Sequence, residues 1–320
     1  MTQPHNIYLL VLPHVHLLDL AAPAQIFAHE VFSEQVAVHY IAASPDICSH
    51  QGLQLHQLAP LPDTLGQHDW LLLIGSAHLY QSLETGSTQH TIHWLKQQAP
   101  TCGLVAGICS GTLLAAKAGL LDNKRCTTHH NLIPYLHTLA PKAQVQEDCI
   151  FISDDNIWTS AGITTSMDLC LQLVTTYWGH QHAMQLARDL VLYQRRSGHE
   201  AQLSFWLQHR NHMQPRVHRI QDLIMASPGH PWSILELSEA VCLSERQLRR
   251  IFQNATGHTL QHYLQLAKLE LAQRLLEQTS LSLEDIAQRC GFSAERSLRR
   301  SWGRWRPQTP SAYRQHYQSP

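Results

Sequence analysis

Apolar residues fall in short unbroken blocks through the first half of the chain and in a helical rhythm through its last third. Residues 7–12, 36–42, 70–74 and 103–108 form such blocks. Continuous apolar runs of strand length predict parallel strands buried on both faces. Helical patterns lie between them, near residues 22–32, 90–98, 110–118 and 131–139. Phe151-Ile152 and Ile157-Trp158 flank the polar Ser153-Asp154-Asp155-Asn156 and predict a hairpin. Residues 164–177 and 181–190 read as further helices. Strands alternating with helices in this way predict an α/β sandwich.

The last third contains one pattern twice. Shifted by fifty positions, Leu248-Arg249-Arg250 falls on Leu298-Arg299-Arg300, Phe252 on Trp302, Thr259 on Thr309 and Tyr263 on Tyr313. Upstream the offset is forty-nine: Ser233 matches Ser282, Glu236 matches Asp285, Leu237 matches Ile286 and Ser244 matches Ser293. Apolar, basic and capping positions keep register together, so this is a duplicated supersecondary unit. In the first copy Ile234, Leu237 and Val241 predict a helix, Cys242-Leu243 a turn, and Ser244 the cap of a second helix. The second copy has Leu283, Ile286 and Ala287, then Cys290-Gly291-Phe292, then a cap at Ser293 or Ala294. The second helix of each copy carries arginines largely off its apolar face. A helix-turn-helix places such a helix in the DNA major groove, where arginine can bond guanine edges. A solvated basic face on an ordinary helical bundle is the competing reading, and the matched arginines of the two copies weigh against it.

Charge follows the same division. Residues 216–320 hold 14 Lys or Arg against 9 Asp or Glu, leaving 9 against 15 of the chain's 23 and 24 for residues 1–215. A basic tail behind an acidic body suits DNA contact at one end only. No basic start leads into a sustained apolar run, so neither a signal peptide nor a membrane span is expected, and the chain reads as cytoplasmic. Eight scattered cysteines without CxxC pairs fit reduced thiols. The 24 histidines include close pairs (His14 and His16, His129-His130, His180 and His182, His209 and His212), but none falls in a Cys2His2 or HExxH pattern. No metal and no cofactor are expected.

The chemistry of the first half centres on Gly107-Ile108-Cys109-Ser110-Gly111, small residues between an apolar strand and a helix. Such a turn exposes a nucleophile and sets it near backbone N–H groups. A small buried cysteine in a tight turn is the commoner meaning of GxCxG taken alone. Residues 105–112 together with Thr127-Thr128-His129 resemble the ThiJ/PfpI thiol domains, a flavodoxin-like fold related to class I glutamine amidotransferases. Leu17-Leu18-Asp19-Leu20-Ala21-Ala22-Pro23 resembles the segment that supplies the acidic group in that family. The resemblance implies Cys109 as the elbow thiol, His129 as its base and Asp19 as the carboxyl partner. Two departures count against catalysis. Ser76 follows Gly75 where the family usually has two glycines, which narrows or re-aims that turn, and Asp19 stands for a longer glutamate.

Residues 216–317 resemble the AraC family of transcription regulators, through Leu237-Ser238-Glu239-Ala240, Leu248-Arg249-Arg250-Ile251-Phe252, Thr256-Gly257, residues 286–292 and the closing residues 309–314. The groove positions implied are Arg246, Arg249 and Arg250 in the first copy, and Glu295, Arg296 and Arg300 in the second. Pro307 replaces a frequent glycine and Arg306 a usually apolar residue, so the second copy is expected to read DNA loosely or to hold phosphates. Both halves together resemble the GlxA-like AraC regulators. The expected organisation is a ligand-sensing α/β flavodoxin-like sandwich at 1–195, a linker at 196–215, and an all-α domain with two helix-turn-helix units at 216–320. The resemblance implies a homodimeric activator on double-stranded DNA, a small effector such as a nitrogen-containing metabolite, and RNA polymerase as a further partner. The alternatives are a thiol enzyme of amidase or isonitrile-hydratase type with a tethered DNA module, and a sensor of Cys109 oxidation.

Overall fold

The computed structural model describes residues 6–32, 35–147, 149–192, 196, 198, 202, 209–210, 212–306 and 308–318. The chain divides into two compact units, Met1–Gln202 and Leu203–Pro320. The first runs β1 (Asn6–Leu10), α1 (Leu17–Phe27), β2 (Ala37–Ile41), β3 (Ile47–Cys48), β4 (Gln54–Leu55), β5 (Asp69–Leu73), α2 (Leu79–Ser82), α3 (Gly86–Gln98), β6 (Leu104–Ile108) and α4 (Gly111–Lys117). It continues with β7 (Arg125–Cys126), α5 (Ile133–Leu139), β8 (Gln144–Val145), β9 (Phe151–Asp154), β10 (Ile157–Ser160), α6 (Thr165–Trp178) and α7 (His180–Asp189).

Six strands form the main sheet in the order β2-β1-β5-β6-β10-β9. Every pairing is parallel except β10 with β9, which closes the predicted hairpin. In chain order the five parallel strands lie 2-1-3-4-5, the flavodoxin-like arrangement, whose switch point falls beyond the carboxyl ends of β1 and β5. The apolar block at 70–74 serves both faces. Trp70, Leu72 and Ile74 pack with Phe27, Leu169 and Leu173 on one side. Leu71 and Leu73 pack with Ile92, Leu95 and Leu114 on the other. Alternate side chains of one strand thus face two helical layers, which is why the run is unbroken.

Two helices depart most from the sequence reading. The helix expected at 22–32 is α1, Leu17–Phe27, with Pro23 inside it, followed by a 3-10 turn at Glu30–Phe32. Proline is favoured at helix starts, but here it sits in the second turn, where it forgoes one backbone bond. Helix α3 starts at Gly86, four residues before the apolar stripe that announces it. The helix read through Phe205-Trp206-Leu207, most of the segment 196–215, and Pro307 lie outside the described residues.

The second unit contains α8 (Pro215–Ala226), α9 (Ile234–Glu239), α10 (Glu245–Thr256), α11 (Leu260–Gln278), α12 (Leu283–Arg289), α13 (Glu295–Trp305) and α14 (Pro310–Gln318). Ser233 with Glu236 and Ser244 with Gln247 form capping boxes at α9 and α10. Ser282 caps α12, but α13 starts from Ala294 with no side-chain cap, so Ser293 is not used. The tight turns pass through Cys242 (φ 53°) and Gly291 (φ 70°), equivalent left-handed positions in the two copies. Leu248 and Phe252 sit in one core with Leu237 and Tyr263, while Leu298 and Trp302 sit in a second with Ile286 and Leu276. Helix α11 belongs to both: Leu260, Tyr263 and Ala267 serve the first core, Leu269, Ala272 and Leu276 the second. The loop between α8 and α9, just before the first copy, also meets the turn of the second. A Cβ on Gly291 would lie 2.2 Å from Gly229 O, and one on Gly229 2.0 Å from Arg289 O.

Candidate functional site

The carboxyl end of β6 leads into a strained elbow. Cys109 has φ 55°, its N–H donates to Ser160 O (3.0 Å), and Thr128 Oγ1 donates to its carbonyl (2.7 Å). Glycines make the turn possible: a Cβ on Gly107 would lie 2.8 Å from Thr112 Oγ1, and one on Gly111 2.0 Å from Leu73 O. The Cys109 side chain packs between two more. A Cβ on Gly162 would lie 2.0 Å from Cys109 Cβ, and one on Gly75 would lie 2.8 Å from it and 2.4 Å from Asp19 Oδ2.

The structure brings Asp19, Gly75, Ser76 and Cys109 together. Asp19 is fully buried, and its Oδ1 accepts from Ile163 N–H at 2.5 Å. Oδ2 has no partner of standard hydrogen-bond geometry, and the Cys109 thiol is the group that interacts with it. Burial pushes the Asp19 carboxyl up to about 6, against the opposing pull of the Ile163 N–H and the thiol. Burial also pushes the Cys109 thiol far up, with the Asp19 charge adding to it and Ser110 N–H opposing. A thiol so placed is protonated near neutral pH and a poor nucleophile.

Ser76 has a defined role in the turn after β5. Its N–H donates to Ser110 Oγ (2.8 Å), Ser110 Oγ donates back to Ser76 O (2.7 Å), and Ser76 Oγ donates to Pro13 O (2.5 Å). The backbone donor beside the thiol is therefore already bonded rather than held ready for an oxyanion. His129 is half-buried near the elbow, but its Nδ1 accepts from Asn131 N–H (3.3 Å), and no bond joins it to Cys109 among the described residues. Cys109, Ser76 and His129 share one cavity of about 690 Å3, completed by His16, His50, His78, Tyr80 and Tyr135. These last five were not among the site residues read from the sequence. They come from loops and short helices beyond β1, β5 and β6, where the strand order itself directs attention. Left-handed backbone gathers here at His78 (φ 57°), Cys109 and Ile163 (φ 53°), the last a β-branched residue. Strain of this kind concentrates at functional sites.

The chain after α7 returns to this site. Arg196 donates from Nε to Asp168 Oδ2 (2.9 Å) and from its backbone N–H to Asp168 Oδ1 (2.9 Å), and its guanidinium reaches Thr164 Oγ1 (3.0 Å). Gly198 O accepts from Ile150 N–H (3.0 Å). Gln202 Nε2 donates to Thr128 O (2.8 Å) and Thr127 Oγ1 (3.1 Å). Thr164 follows Ile163, and Thr128 holds the Cys109 carbonyl. Both flanks of the elbow are thereby tied to the segment that leads into the second unit.

A prediction follows from Asp19. Its carboxyl keeps its proton to a higher pH when folded, so stability is fully present below about pH 4 and is lost as pH rises through about 6. The loss is about 3 kcal/mol. Asp19→Asn is expected to remove that slope in urea unfolding measured across this range. Parallel pH profiles for the two proteins would contradict the burial of this charge.

In the second unit the repeated arginines occupy equivalent places. Arg246 and Arg250 are exposed one turn apart on α10, on the side away from buried Leu248 and Phe252. Arg296 and Arg300 repeat this on α13, away from Leu298 and Trp302. None of these four has an ion pair or hydrogen bond among the described residues. Arg249 instead pairs with Glu245 (3.4 Å), and Arg299 Nε donates to Glu295 Oε1 (2.6 Å). Glu295 is thus turned along its own helix. Arg306 donates to Gln273 Oε1 (3.0 Å) and lies 4.7 Å from the centre of the Trp305 ring, which makes it a brace between α13 and α11.

A flavodoxin-like sandwich with a cysteine elbow, joined to a paired helix-turn-helix, defines the class. The chain belongs to the DJ-1/PfpI family, whose model matches residues 5–176, and residues 237–316 match a helix-turn-helix domain of AraC type. It is similar to the HTH-type transcriptional regulator GbdR of Pseudomonas aeruginosa, 28% identical over 228 residues, 70% of this chain and 60% of that protein. The match therefore spans three fifths of that regulator's length. Isonitrile hydratase of Pseudomonas putida is 31% identical over 168 residues, 51% of this chain and 68% of the enzyme. A ThiJ/PfpI family protein from Pseudomonas syringae shares the fold, with a TM-score of 0.53 at 21% identity over 61% of this chain and 78% of that one. Among the described residues no helix is long and apolar enough to cross a membrane, and no group of three His, Cys, Asp or Glu side chains could hold a metal.

Proposed function

We propose that the protein is a sequence-specific DNA-binding transcription regulator whose DNA affinity is set by a small metabolite in the Cys109 cavity. The observation that carries the first part is the duplicated pair of unbonded arginines, Arg246 with Arg250 and Arg296 with Arg300, each on the exposed face of the second helix of a helix-turn-helix. Guanidinium groups without internal partners are available for guanine edges or phosphates. The second part rests on Arg196, Gly198 and Gln202, which tie the chain leading out of the first unit to both flanks of the elbow. A ligand that binds two arrangements of those flanks unequally shifts their balance, and only then alters DNA affinity. The resemblance to AraC regulators is the ground for the homodimer, activator and RNA polymerase parts of this reading.

Turnover at Cys109 is not part of the reading. The thiol is buried and pushed far up, His129 does not touch it, and Ser76 N–H is bonded to Ser110. The test is recovery of fragmented source-genome DNA by the full-length protein at roughly physiological salt, where nonspecific contacts are weak. Enrichment of a few upstream regions sharing a motif is expected, and Cys109→Ser is expected to enrich the same ones. Recovery no better than random would end the regulator reading and return attention to thiol chemistry.

A further inference from the structure

The cavity at the elbow has an unusual chemical lining. Imidazoles approach it from separate stretches of chain: His16 at the start of α1, His50 from the β3–β4 connection, His78 before α2, and His129 after β7. His16 and His129 are half-buried, whereas His50 and His78 are exposed. The rings form a chain, His16 to His50 at 5.1 Å between centroids and His50 to His78 at 5.9 Å. The side chains of His16, His50 and His78 make no hydrogen bond among the described residues, so their N–H groups are uncommitted. No Asp, Glu, Lys or Arg lines the cavity among the described residues. The Asp19 carboxyl is not part of the lining; it interacts with the Cys109 thiol and accepts from Ile163 N–H.

We propose that this cavity binds a small organic carboxylate, held by the N–H groups of His16 and His129 and accompanied by uptake of one proton. The proposal rests on the reading of this cavity as the effector site and names the class of effector. A ligand cation would find ring faces but no counter-charge, whereas an anion finds converging donors and no competing acid. A dianionic phosphate is a poorer match, because no permanent cation lines the cavity. One negative charge matched by one imidazolium leaves the complex neutral.

The groups facing these imidazoles explain why the proton arrives with the ligand. His16 faces His50 and His78, His129 faces His130 and His16, and Cys109, Tyr80 and Tyr135 complete the surroundings. Burial lowers the pKa of both His16 and His129, and their imidazole neighbours lower it further. The His16 and His129 rings therefore favour the neutral form near pH 7, and a bound carboxylate reverses the balance for one of them. By linkage, affinity falls as pH rises, by at most about tenfold per pH unit.

The test uses the full-length protein in calorimetric titrations at about pH 6 and about pH 8, on either side of the ordinary histidine range. The probes are acetate, butyrate, hexanoate and benzoate, the corresponding primary amides, and butylamine and benzylamine. Two buffers of different ionisation enthalpy report the protons exchanged. The expected result is binding by one or more carboxylates, weaker at the higher pH and with net proton uptake, and no binding by the amides or amines. His16→Gln is expected to weaken binding and to reduce the proton uptake, and His129→Gln serves if that variant does not fold. Binding of amides or amines as tight as that of carboxylates, binding independent of pH, or no binding by any carboxylate would each overturn the proposal. Affinity for the selected DNA is measured in parallel. A carboxylate that binds with proton uptake but leaves DNA affinity unchanged supports the ligand class and overturns the effector reading instead.

Discussion

Replacing Arg246 and Arg250 together by alanine is expected to cost about 2–6 kcal/mol of affinity for the protein's selected DNA, taking about 1–3 kcal/mol for each base-reading arginine. The two guanidinium groups project one turn apart from α10, opposite the Leu248 and Phe252 side chains that fix the helix in its core. Their removal therefore leaves the core untouched. Arg249→Ala is expected to cost less, because that side chain already pairs with Glu245 and its competing contact with DNA starts from an occupied geometry. Titrations of a selected fragment and its single-base variants, over a range of salt, separate two kinds of contact. A base reader loses discrimination at one position. A phosphate contact loses affinity uniformly and lowers the salt slope by about one per contact. A loss below about 0.5 kcal/mol for the double variant, no more than an ordinary surface substitution, would remove α10 from the interface.

The largest expected effect on stability is that of Gly162→Ala. Gly162 has φ 80°, and an added Cβ would lie 2.0 Å from Cys109 Cβ and 2.7 Å from Cys109 Cα. Neither neighbour is the end of a flexible chain, so the elbow and the start of α6 must separate. The expected loss is about 3 kcal/mol or more, in the range of overpacked or strained core positions. Gly119→Ala is the internal control. It has nearly the same φ, 81°, but nothing lies within 4 Å of its Cβ position, so only the left-handed penalty of about 1–2 kcal/mol applies. Denaturant unfolding of the two variants separates strain from collision. Equal losses would mean that the collision at Cys109 is relieved by small shifts.

How much of this was legible depended on whether a residue's role is local. The strands at 70–74 and 103–108 could be read because parallel strands bury both faces, and the elbow because glycine is required at 107 and 111. The repeat could be read because each copy keeps its own core and caps. Helix α11 was not read, since its apolar residues are divided between two cores and make no single stripe. Helix α1 was read five residues too far along the chain, and Pro23, a residue that favours helix starts, lies in its second turn. The acid, the thiol and the turn at Ser76 were singled out, but His16 was read only as a close neighbour of His14, and His50 and His78 were not singled out, since loops far apart in sequence converge only once the sheet is assembled. The segment from Arg196 to Gln202 read as a boundary because it is polar. Arg196 is bonded to Asp168 and Thr164, and Gln202 to Thr128, which spacing alone does not reveal.

The shared helix has a consequence for what counts as a binding site. Helix α11 is 19 residues long, about 28 Å at 1.5 Å per residue, and the Gly229–Gly291 contact holds the loop leading into the first copy against the turn of the second. Two points of attachment leave little room for one reader to swing against the other. On DNA, one added base pair between two contacted blocks moves the second block by about 3.4 Å and turns it by about 34° around the axis. A protein braced in this way cannot follow that displacement without breaking contacts, so the number of base pairs between the blocks becomes part of the message. Two sites with identical bases in both blocks but different spacers are, to such a reader, different words.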